Sequence, residues 1–124
     1  MAIRRFTTGT ITMTDTTDSV TIPDVTGKIK CIAIKPSGTS TDFIISCEKA
    51  GITETILGAS GAVSVAAAGI VITPQKLAVD ADNGALTVTS NTYVDFILDS
   101  QDITIAVSAG ANAETFVVDI IVEE

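Results

Sequence analysis

The closing stretch, Asp102–Glu124, constrains the fold more than any other. It holds two apolar runs, Ile103–Val107 and Phe116–Val122, around a turn of small residues, Ala109-Gly110-Ala111-Asn112-Ala113. Successive side chains of a strand point to opposite faces. Ile103, Ile105 and Val107 therefore form one apolar row, and Phe116, Val118, Ile120 and Val122 form another. This spacing predicts a core hairpin. The reverse face of its second strand carries Val117, Asp119 and Ile121, so one charge interrupts an otherwise apolar row. Such a strand is either central in a layer covered on both sides or part of a subunit contact.

The residues available for a core support strands. Hydrophobic residues make up 46% of the 124, aromatics only 4%, and Trp is absent. The core must be built from Ile, Val and Ala, and the chain is rich in Thr; β-branched side chains suit strands. A chain of this length suits one domain and buries about two thirds of its unfolded surface without a metal or disulfide. Residues 1–124 are therefore read as a single β domain, with 1–6 either an N-terminal arm or the start of the first strand.

Turn signals divide the chain into short strands. Thr7–Met13 alternates, and Asp15–Asp18 is a polar turn, because Asp and Thr side chains bond to nearby backbone. Ser19–Ile22 is a strand ended by Pro23-Asp24, and Gly27 opens the next, Lys28–Lys35. That strand is wet on one face at its start and apolar on both at its end, as a bulge or a passage into a covered region would produce. Its lysines, Lys28, Lys30 and Lys35, read as edge protection. Asp42–Lys49 and Ile52–Leu57 form a hairpin about Ala50-Gly51. Gly58–Gly69 is a small-residue loop with a short strand at Ala62–Ala66, and it would let another backbone come close. Ile70–Thr73 is a short strand closed by Pro74. Lys76–Ala81 and Leu86–Ser90 flank Asn83-Gly84, the strongest short hairpin signal in the chain. Thr92–Leu98 follows, and Asp99–Asp102 turns into the closing hairpin. With about nine or ten short strands and no convincing helix, the expected fold is all-β, an antiparallel β-sandwich or jelly roll.

Chemistry is sparse. Without His, a conventional nucleophile–base triad is excluded, and the two cysteines, Cys31 and Cys47, are too few for a zinc site. Both read as small core residues, free unless their strands are neighbours. No phosphate-cradling Gly-rich motif is present. Asp80-Ala81-Asp82-Asn83-Gly84 resembles part of a calcium loop, but residue 90 is Ser where the full pattern needs Glu, so a plain turn is preferred. No catalytic residue, metal or cofactor is assigned. Net charge is −8, and no Lys or Arg lies beyond Lys76. An acidic half repels nucleic acid. No apolar run approaches the roughly 20 residues of a membrane helix. The candidate partner contacts are Arg4 and Arg5, the one adjacent basic pair, and Val117 and Ile121.

In size, acidity, Thr/Ala/Gly/Val-rich strands such as Gly9–Met13 and Ala85–Thr89, and the Met1–Phe6 lead-in, the chain resembles the small all-β virion proteins of tailed bacteriophages, above all capsid decoration or cement proteins. The resemblance is one of style across the whole chain, without a specific motif. It implies a homo-oligomer, a trimer above others, that sits on the outside of a shell, binds the major capsid protein or another virion protein, and bridges capsid subunits. It implies a virion location after synthesis in a host cytoplasm, without a signal peptide. A head-fibre or minor tail protein would read the same way. A carbohydrate-binding or adhesion module would instead need clustered exposed aromatics, and Tyr93 is the one such candidate with a polar handle.

Overall fold

The computed structural model describes residues 2–38, 41–77 and 93–124. Among them are eleven strands and no helix: β1 (Ile3–Thr7), β2 (Ile11–Thr12), β3 (Asp18–Pro36), β4 (Thr41–Lys49), β5 (Ile52–Leu57), β6 (Val63–Val65), β7 (Ile70–Ile72), β8 (Gln75–Leu77), β9 (Tyr93–Asp95), β10 (Ile97–Ser108) and β11 (Thr115–Glu123). The protein is all-β, and every pairing is antiparallel.

One strand organises the rest. β3 is 19 residues long and belongs to two layers. Its first half, Asp18–Lys28, pairs with β10, and its second half, Lys28–Pro36, pairs with β11. β1 and β2 lie along the far edge of β11, and β7 lies beside Ile32–Ile34 of β3. These strands form the first layer. On the other side of β10 lies β4, whose far edge takes β5 and β6, completing the second layer. The layers are joined through β3, as happens where a strand switches sheets at a bulge. They close on each other: the Phe43 ring of β4 meets the Phe116 ring of β11 edge to face, with centroids 5.7 Å apart. The result is a β-sandwich, as the strand pattern predicts. β8 and β9 form a separate two-stranded ribbon.

The core lies between the layers. Phe116, Val118, Ile120 and Val122 face Phe43, Ile45, Ile103, Ile105 and Val107, all buried. Both apolar rows of the closing stretch thus occupy the face expected of them. Their connection does not. β10 and β11 are not a hairpin, because β3 lies between them in the strand order. The loop after Ser108 carries the chain from one layer to the other. Its turns use left-handed backbone at Ala109 (φ 56°) and Ala113 (φ 72°).

Two further turn signals prove to be bends inside long strands. Pro23-Asp24 does not end a strand; β3 runs through it, with Asp24 at φ 53° and a register shift against β10. Asp99–Asp102 is not a turn either. β10 runs through it with Ser100 at φ 52°, and Gln101 turns inward to donate from Nε2 to the Glu48 carbonyl at 3.1 Å. Paired bulges on facing strands sharpen twist and bend, which is what a shared strand needs. The change of face within Lys28–Lys35 is also a bulge: Ile121 opposes Cys31 while Val122 opposes Ile29, leaving Lys30 unpaired in the register. The lysines of this strand protect no edge, since β3 is interior. Thr7–Met13 is broken at Gly9 (φ 64°) into the end of β1 and β2. The hairpin about Ala50-Gly51, both at positive φ, and the short strands at Val63–Val65 and Ile70–Ile72 match their expected places. The Asn83-Gly84 hairpin and the rejected calcium loop lie outside the described residues.

Gly27 sits where β3 passes between layers. Its φ is 128°, and a Cβ there would lie 2.9 Å from the Glu123 carbonyl oxygen. Gly27→Ala should therefore destabilise the fold by about 1–3 kcal/mol, read as a lower denaturation midpoint. Phe116→Ala should cost about 3–5 kcal/mol, because it empties the contact that joins the layers. A Gly27→Ala variant as stable as the parent would show that the crossing tolerates a side chain.

Candidate functional site

The two outer faces of the sandwich differ in chemistry. The second layer presents Ser19 and Thr21 from β3, Asp102 and Thr104 from β10, Asp42, Ser46 and Glu48 from β4, and Thr53 and Thr55 from β5. That face is hydroxyl-rich and acidic, with Ile44 its large apolar residue. It is an ordinary solvated face.

The first layer presents a different surface. Strict alternation along β11 leaves Val117, Asp119, Ile121 and Glu123 outward and half-buried. Register then decides their neighbours. Arg5 lies opposite Ile121 and Thr7 opposite Asp119 on β1; Cys31, Ala33 and Lys35 lie opposite Ile121, Asp119 and Val117 on β3. Val71 of β7, opposite Ala33, is 72% exposed. On this face Val117, Ile121, Cys31, Ala33 and Val71 surround Asp119. Among the described residues no element covers the face. β11 is therefore central within its layer but covered on one side only.

A shallow groove runs over this face, between β11 and the Ala68–Val71 segment, with Ala33 at its base. The segment comes close because its residues are small. A Cβ on Gly69 would lie 2.8 Å from the Ile34 carbonyl oxygen, and Lys35 Nζ donates to the Ala67 carbonyl. The close backbone approach expected of Gly58–Gly69 is thus made within the chain itself.

One carboxylate stands out in the groove. Asp119 Oδ1 is buried without a hydrogen-bond partner among the described residues. Its other oxygen lies 3.6 Å from Arg5 Nε, and the Arg5 side chain is 63% exposed. That pair is long and leaves most of the guanidinium donors to solvent. A buried acceptor without a donor costs free energy, roughly 1–3 kcal/mol and more for a charged group.

Three of the four residues singled out from the sequence, Arg5, Val117 and Ile121, share this face. Arg4 does not. It pairs with Glu124 Oε1 at 2.8 Å and lies 4.9 Å from the Phe6 ring centroid, on the core side of the open β1 edge. Ile3–Phe6 belongs to the first strand, β1. The sequence places Asp119 on this face with Val117 and Ile121, but it does not show Ala33 and Val71 as parts of the same surface. The alternation of β11 pointed to Asp119, but the pairing of β3 with β7 was not legible.

The cysteines separate between surfaces. Cys47 is buried in the core, whereas Cys31 is half-buried on the outer face, so only Cys47 fits the expected core role. Both are free. Burial pushes the Cys47 thiol above its ordinary value, the Glu54 carboxylate adds to this, and Lys76 and Lys49 oppose it. The folded state thus holds this proton to higher pH than the unfolded chain does. The stability it contributes is present below the ordinary thiol value and is lost as pH rises above it.

Among the described residues no group of three or more His, Cys, Asp or Glu is placed to hold a metal, and no helix is long and apolar enough to cross a membrane. The chain matches no family model and no curated protein.

The two faces of β11 can be told apart by one substitution each. Ile120→Lys buries a charge in the core and should abolish cooperative melting. Ile121→Lys, on the outer face, should keep a cooperative transition within about 2 kcal/mol of the parent. Native Cys47 should react with iodoacetamide at least about tenfold more slowly than in urea, followed by mass spectrometry of its tryptic peptide.

Proposed function

We propose that this chain is a non-catalytic structural protein of a virion, one that attaches to the outside of a tailed-phage capsid and stabilises it by bridging capsid subunits. The observation that carries this reading is the uncovered apolar face of the first layer. On this face Val71 is exposed and Val117 and Ile121 are half-buried, and outward apolar side chains of a sheet that no element covers suit a protein that works in an assembly. The reading takes this face as a binding surface, with Cys31 and Asp119 as its polar groups. The partner is the major capsid protein or another virion protein. The resemblance to decoration proteins supplies the particle, and the two-layered sandwich is the architecture that resemblance implies.

The open edge of β1 supplies a second contact. Among the described residues β1 pairs with β11 alone, and its free side carries Arg4, whose side chain is 54% exposed beside Glu124. A basic edge deters self-pairing and suits an acidic capsid surface.

The test uses particles of the phage or prophage that encodes the chain. Density-purified heads should carry the chain in many copies, detected by mass spectrometry and retained after the DNA is released. Arg4→Ala should weaken rebinding to stripped heads severalfold at low salt and less at high salt, as a rim charge does. Heads that lack the chain, or that neither gain it on mixing nor differ in heat resistance with it, would overturn the proposal.

A further inference from the structure

We draw no further inference here: the strongest candidate, the groove at one end of the sandwich between the β8–β9 ribbon and the Lys28–Ile97 pair, where Tyr93, Val94 and Ile97 are exposed, carries nothing because nothing in the structure shows what covers it.

Discussion

The structure depends on a single strand serving two sheets. β3 gives its first half to β10 and its second to β11, and the handover occurs at Gly27 and Lys28. At that point the backbone has hydrogen-bonded neighbours from both layers. The carbonyl of Glu123 comes so near Gly27 that a side chain would collide with it. Everything else is arranged by this crossing. It separates β10 from β11, forces the loop after Ser108 to span the layers, and sets Phe43 against Phe116. Bulges at Asp24 and Ser100 allow the bend, because a left-handed residue lets a strand change direction without ending.

The same crossing makes the two outer faces unequal. Each layer has one face turned to the shared core, and the other is left to the solvent. In the second layer the solvent face is rich in Thr, Ser and carboxylates, which are stable in water. In the first it is Val117, Ile121, Cys31, Ala33 and Val71 around Asp119. Apolar area of this kind is stabilised by cover, at about 25 cal/mol per Å² removed from water. A carboxylate oxygen left without a donor adds to the same demand. A second molecule packed on this face would answer both.

Much of the fold was legible because periodicity reports burial directly. The row Phe116, Val118, Ile120, Val122 is core because alternate residues of a strand share a face. Ala50-Gly51 is a turn because two positive-φ residues suit a tight hairpin. The bulge within Lys28–Lys35 showed as a change of face. What misled was turn chemistry. Pro23-Asp24 and Asp99–Asp102 carry the residues that end strands, yet those residues also serve bulges inside long ones. Local sequence does not distinguish the two uses, because the difference is whether a neighbouring strand continues alongside. The candidate site was half legible for the same reason. Arg5, Val117 and Ile121 could be chosen from spacing alone. Their company with Ala33 and Val71 is set by register between strands far apart in the chain.

By itself, then, the sequence determined an all-β domain, the residues of its core, the acidic imbalance and the poverty of catalytic groups. These are properties of local spacing and composition, and they hold whatever the strand order. Tertiary structure alone decided that β3 would stand between the closing strands, that Cys31 would lie outside and Cys47 inside, and that one outer face would be apolar. Those outcomes depend on which strands pair, and pairing is settled by the closure of two layers over one core rather than by any short stretch of chain.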